Sequence, residues 1–160
     1  QLEGLHMGAD DYIPKPFSMI MIATKIKNLF RTRYRAIEHY SNSLKVEPEK
    51  VALNPLDEEL LKKAIAIVEK HMDNVEFSTE IFAREMCMSR SNLHIKMKAL
   101  TGESANDFIR KMRFNQACKL LKEGKYTVSE ISGMVGFNTP SYFATSFKKY
   151  FGCLPSEYGK

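Results

Sequence analysis

No stretch of this sequence approaches the roughly 20 consecutive apolar residues of a membrane-spanning helix. The three cysteines, Cys87, Cys118 and Cys153, are far apart, odd in number and without a CxxC partner. That spacing describes idle or buried thiols in a reducing compartment, not a disulfide framework. The histidines His6, His39, His71 and His94 have no ligand spacing with one another or with cysteine, so no metal site is expected. A Gly-rich phosphate loop, a GxSxG elbow and a carboxylate pair at recognisable spacing are missing as well. His39 and His94 stand without an orienting acid, which leaves an enzyme reading with no constellation behind it and no cofactor to expect. The chain opens at Gln1 in the middle of a pattern, with neither an initiator Met nor a signal pattern, and is read as a fragment of something longer.

Acid is scarce where base is plentiful. The net charge is +5, and from Arg84 to Lys125 ten Lys or Arg face only four acids, Glu85, Glu103, Asp107 and Glu123. A local excess of this size suits a polyanionic partner, although a basic face that is merely solvated has the same composition. With 44% apolar residues in 160, one or two small domains with a real core are within reach.

Residues 1–16 contain GADDYIPKPF, read as a loop and short strand, and an amphipathic helix follows from Ser18 to about Tyr40. Ile20, Ile22, Ile26, Leu29, Phe30 and Ile37 form its stripe. Residues 41–56 hold two prolines and little periodicity, as a linker does. From Asp57 the pattern is helical throughout: a first helix at about 57–73, then short and long helices started by Ser78, Ser89, Ser104, Thr127 and Thr139 as caps. Thr127 with Glu130 is a T-x-x-E capping box, and Pro140 occupies a first helical position.

The segment FAREMCMSRSNLHIKMKALTG, 82–102, recurs as ISGMVGFNTPSYFATSFKKYFG, 131–152. Phe82 pairs with Ile131, Met86 with Val135 and Cys87 with Gly136. After one extra residue Ser89 pairs with Thr139, Leu93 with Phe143, Met97 with Phe147, Lys98 with Lys148 and Gly102 with Gly152. Each copy is a short helix, a tight turn and a capped helix, which is a helix-turn-helix. The units fall at about 78–100 and 128–151, joined by a linker helix at about 104–123. About 20 helical residues span about 30 Å, close to the roughly 34 Å between successive major grooves on one face of B-DNA; a mismatch would be met by bending the duplex, at roughly 1–6 kcal/mol.

With Leu93, Met97 and Leu100 inward, Ser91, His94, Ile95 and Lys98 point outward; with Phe143, Phe147 and Tyr150 inward, Ser141, Ala144, Thr145 and Lys148 do. Ser and His suit base edges, Lys suits phosphate or guanine, and Ala or Thr methyls suit thymine. Arg90 and Asn92 near the first helix start are placed for phosphate, and Asn138 and Thr139 at the second are further candidates for DNA binding.

The runs SRSNLHIKMKALTG (89–102), FIRKMRFNQACKLL (108–121), VSEISGMVGF (128–137) and SYFATSFKKYFGCLPSEY (141–158) resemble the DNA-binding domain of the AraC family of transcription activators, over residues 57–160. That resemblance implies an all-α fold of two helix-turn-helix units on a linker helix, acting on double-stranded promoter DNA and recruiting RNA polymerase. GADDYIPKPF and the helix after it resemble the end of a response-regulator receiver domain, so that 1–40 is a receiver remnant and Lys15 its switch lysine. The order resembles the C-terminus of a hybrid two-component regulator of the Bacteroides type. It implies a cytoplasmic, phosphorelay-controlled output whose parent is anchored in the inner membrane. The apolar stripe of the 18–40 helix separately suits pairing with a second copy, a homodimer through residues 18–40.

Four positions depart from the family pattern: Cys87 for a turn Gly, Ile95 and Thr145 at outward positions where relatives carry Arg, and Ser132 for a packed Ala. Base readout is therefore expected from Ser91, His94 and Lys98, with more phosphate and methyl contact from the second unit. The alternative is a helical protein-interaction or dimerisation module with a basic face.

Overall fold

The computed structural model describes residues 18–42 and 55–158. The expected strand, Lys15 and most of the linker 41–56 lie outside the described residues. Among the described residues there are seven α-helices and no strand. They are α1 Met19–Asn42, α2 Pro55–Lys70, α3 Thr79–Glu85, α4 Arg90–Thr101, α5 Ala105–Glu123, α6 Val128–Met134 and α7 Pro140–Phe151, followed by a 3-10 turn at Pro155–Glu157. Helix α2 starts at Pro55, two residues before the expected start, because proline is suited to a first helical turn.

The anticipated caps are in place. Ser78, Ser89, Ser104, Thr127 and Thr139 each accept from a backbone N–H three residues on, namely Ile81, Asn92, Asp107, Glu130 and Tyr142. The Thr127–Glu130 box closes in both directions. Gly102 and Gly152 end α4 and α7 in left-handed conformations, donating to Lys98 O and Lys148 O.

Two cores are built on one helix. The first gathers Leu61, Val68, Phe82, Leu93 and Met97 around the first half of α5, Ala105 to Met112. The second gathers Ile131, Val135, Phe137, Phe143 and Phe147 around the other half, from Phe114 on. Phe114 lies at the centre of the second, with ring centroids 5.6 Å from Phe137, 5.6 Å from Phe147, 5.2 Å from Tyr150 and 5.7 Å from Phe151. The connector is therefore part of both cores as well as a spacer. It is buried on several sides, because each unit contributes only short helices and needs α5 to complete its core. At 19 residues it still spans about 29 Å. Tyr150, expected inward, is 42% exposed; its ring touches Phe114 and Phe151 from the rim of the core.

Inside the first unit, His71 stacks on Phe77 at 4.6 Å and its Nε2 lies 2.6 Å from Glu85 Oε1, tying the end of α2 to α3. Lys111 is buried and its Nζ lies 3.2 Å from Glu103 Oε1. Burial pushes the Glu103 carboxyl up and the Lys111 ammonium down, in each case against the pull of the partner's charge.

The repeat holds down to individual hydrogen bonds. Met88 N donates to Ala83 O and Cys87 N to Arg84 O; Phe137 N donates to Ser132 O and Gly136 N to Gly133 O. Both are the two-bond helix terminator whose hinge residue sits in the left-handed region. The hinges differ in what surrounds them. Cys87 has φ 58°, the one positive φ of a non-glycine among the described residues, and its side chain is exposed. Gly136 has φ 72°, and a Cβ there would come within 2.6 Å of Met72 O and 2.7 Å of Arg113 Nη2. Arg113 Nη2 in turn donates to Asn74 O at 2.7 Å. The turn of the second unit, the loop after α2 and the middle of α5 thus meet at one guanidinium. Helix α1 lies beside α4; Ile22 and Lys25 are half-buried and its other described side chains are exposed.

Three stability outcomes follow for urea unfolding. Gly136→Ala loses about 3 kcal/mol, from the left-handed backbone and the blocked Cβ together. Cys87→Gly gains about 0.5–1 kcal/mol, because the same backbone relief meets no obstacle. Ser132 is 1% exposed and its Oγ has no hydrogen-bond partner, so Ser132→Ala gains about 1 kcal/mol.

Candidate functional site

The outward face of α4 is set by its inward one. Leu93, Met97 and Leu100 are buried, so Ser91, His94, Ile95 and Lys98 are turned to solvent, Ile95 with 64% of its surface exposed. An isoleucine this open offers most of its surface for an apolar contact. Helix α4 contains Arg90, Lys96 and Lys98 and no carboxylate; α7 contains Lys148 and Lys149 and no carboxylate. Two capped helices without acid are thus presented by the two units.

The second face is shaped differently from its expectation. Ser141, Thr145 and Lys148 are exposed, while Ala144 is half-buried. Thr145 Oγ1 donates back to Ser141 O at 2.9 Å, which leaves its methyl group as the outward element. Thr139 Oγ1 accepts from Tyr142 N at 3.2 Å and is occupied as the cap. Asn138, in the turn before it, is exposed.

Arg90 is not a free cation. Its Nη1 lies 2.7 Å from Glu80 Oε1 on α3. The Glu80 carboxyl is held low by its own backbone N–H and the Ser78 hydroxyl, with the Arg90 charge adding to them. Both side chains are largely exposed, and such pairs exchange readily for a stronger anion. Asn92 is exposed one turn into α4, its N–H taken by Ser89.

Two clefts adjoin these faces. One is lined by Arg90, Ser91, His94 and Ile95 of α4 together with Ser104 and Asn106 at the start of α5. The other lies between the units, lined by Asn106, Arg110 and Arg113 of α5 and by Asn138 and Tyr142 of the second unit. Asn106 belongs to both. The outward residues of α4 and the entry to α7 therefore open along the same side of α5. The residues that pattern reading missed are Asn106, Arg110 and Tyr142. Asn106 and Arg110 sit on the helix read as connector, with a polar Asn and an Arg one turn apart at its start as their signal, and Tyr142 sits on the second capped helix beside Ser141, which pattern reading did name. Among the described residues no group of His, Cys, Asp and Glu is arranged to hold a metal, and no helix is long and apolar enough to cross a membrane.

Comparison with known proteins agrees with this architecture. Residues 82–160 match the family described as "Helix-turn-helix domain". Over 158 residues the chain is 40% identical to Histidine kinase P4 of Formosa agariphila, a match that takes in 99% of this chain and 12% of that protein's length. Among solved structures, the C-terminal domain of the two-component response regulator yesN from Fusobacterium nucleatum superposes with a TM-score of 0.58 at 27% identity, over 62% of this chain and 96% of that one. The DNA-binding domain of AdpA, a global transcriptional factor solved with a target DNA, gives a TM-score of 0.57 at 28% identity, over 61% of this chain and 87% of that one.

The caps carry a direct check on how rigidly the two faces are held. Ser89→Ala and Thr139→Ala each lose about 1 kcal/mol in thermal unfolding. Hydrogen exchange then accelerates at Asn92 N–H in the first variant and at Tyr142 N–H in the second, with the opposite unit unchanged.

Proposed function

Residues 82–160 are a helix-turn-helix domain of the AraC type, and from that premise we propose that this chain is the sequence-specific DNA-binding output of a two-component transcription regulator. The observation that carries the proposal is the shared side of α5: the α4 face and the entry to α7 open onto clefts that have Asn106 in common. A connector of about 29 Å suits two helices entering successive major grooves about 34 Å apart, with a modest bend making up the difference.

In this reading Ser91, His94 and Lys98 address base edges and Ile95 supplies apolar contact to a thymine methyl. Arg90 exchanges Glu80 for a phosphate, and Asn92 lies beside it. In the second unit Asn138, Thr139 and Ser141 meet the backbone, the Ala144 and Thr145 methyls meet bases, and Lys148 meets phosphate. Ile95 and Thr145 offer no bidentate guanine contact, so discrimination rests chiefly on the first unit.

The control region is proposed to be residues 1–40, as the end of a receiver with Lys15 as its switch lysine, joined through 41–56 to the output domain. The likeness to yesN and to Histidine kinase P4 supports that order. Promoter-bound RNA polymerase is the partner of the bound state. Helix α1 is the proposed homodimer contact, since Ile20 at 80% and Phe30 at 71% exposure leave an apolar stripe uncovered.

Binding to duplex DNA should weaken steeply with salt, with a log–log slope on the order of −5 for about six phosphate contacts. His94→Ala should relax preference at one base position, by about 1–3 kcal/mol of discrimination, whereas Lys148→Ala should weaken all sequences alike. A chain that met only an acidic protein through its basic face would fail to retard a random duplex at low salt, and that result would sink the proposal.

A further inference from the structure

Two reading helices account for the ends of the proposed DNA site and leave its middle unassigned. Asn106 is exposed and Arg110 half-exposed. They are four residues apart on α5, hence on one face of it. Asn106 lines both clefts, and Arg110 lines the one between the units together with Asn138 and Tyr142. The two clefts adjoin at Asn106 and together reach from His94 to Tyr142 across the first half of the connector. The cleft between the units has a volume of ≈ 180 Å³, room for a phosphodiester group, whereas a helix about 10 Å across cannot enter. Arg113 at its floor is fixed by its bond to Asn74 O. Arg110 is held in place by Asp107 through one of its terminal nitrogens, Nη2. A guanidinium has five donors in a fork, so this pairing orients it without exhausting it.

When successive major grooves on one face of a duplex are filled, the minor groove between them, with its two bordering phosphate strands, is turned toward the protein. The geometry points to a third, central contact: Asn106 and Arg110 take phosphates at the edge of that intervening minor groove. This rests on the two-groove reading above and adds to it a binding site on the connector. A phosphate contact carries no base identity, so it sets register and affinity and leaves base preference to α4 and α7.

The test uses the whole 160-residue chain and a duplex that the chain itself selects from a random pool. Arg110→Gln is combined with Asp107→Asn so that no carboxylate is left facing the DNA. Hydroxyl-radical protection at the central minor groove should disappear while methylation protection in both flanking major grooves persists. The salt slope should fall by about 0.9, which amounts to roughly an eightfold loss of affinity near 0.1 M salt. The selected base preference should stay as in the parent. Asn106→Ala should also open the centre, with the slope unchanged because no charge is lost. Unaltered central protection and slope in the Arg110 variant, with two major grooves still protected, overturn the central contact alone. Protection of a single major groove by the unsubstituted chain overturns it together with the two-groove reading.

Discussion

Everything in this molecule leans on the packing of α5 into two cores at once. Between Met112 and Phe114 the helix passes from one hydrophobic cluster to the other. Neither unit has enough apolar surface of its own to close: α3 and α6 are seven residues each, too short to be stable without tertiary support. Sharing the long helix solves that problem and has a geometric consequence. Two elements that bury themselves against the same rigid rod have their mutual direction set by it. Side chains at the junction hold that direction, with Arg113 reaching Asn74 O on one side and pressing on Gly136 on the other. The spacing of the two outward faces is therefore a property of the core.

The two helix-turn-helix units show how equal local designs diverge when their surroundings differ. Their turns use the same pair of backbone hydrogen bonds and the same left-handed hinge. In the first unit the hinge is exposed, so a cysteine is tolerated there at the expense of some backbone strain. In the second the hinge lies against another part of the chain, and the absence of a side chain is what allows the approach. The same contrast marks the reading helices. Helix α4 has an aliphatic inner face with His94 exposed beside it, whereas α7 has a phenylalanine inner face with Ala144, the matching residue, half-buried.

Acids are excluded from α4 and α7 and used instead where they fix something. Glu80 orients Arg90, Asp107 orients Arg110, Glu103 faces buried Lys111 and Glu130 closes a cap. Two surface cations, Arg90 and Arg110, are thus positioned by carboxylates beside them.

Much of this was written in the chain order. The caps at Ser78, Ser89, Ser104, Thr127 and Thr139, the inward Leu93, Met97, Phe143 and Phe147, the duplicated turn and the strained Cys87 were legible because each depends on residues within a few positions of one another. A local rule of helix starts, stops and periods is enough to find them. Tertiary structure alone decided the rest. It made α5 a buried spine, turned Thr145 back on its helix, drew in Ala144, set Arg90 against Glu80, and brought Asn106 and Arg110 into the cleft between the units. Those facts depend on pairs such as Arg113 with Asn74, 39 residues apart, whose meeting is fixed by how two cores share one helix. No periodicity along the chain encodes that.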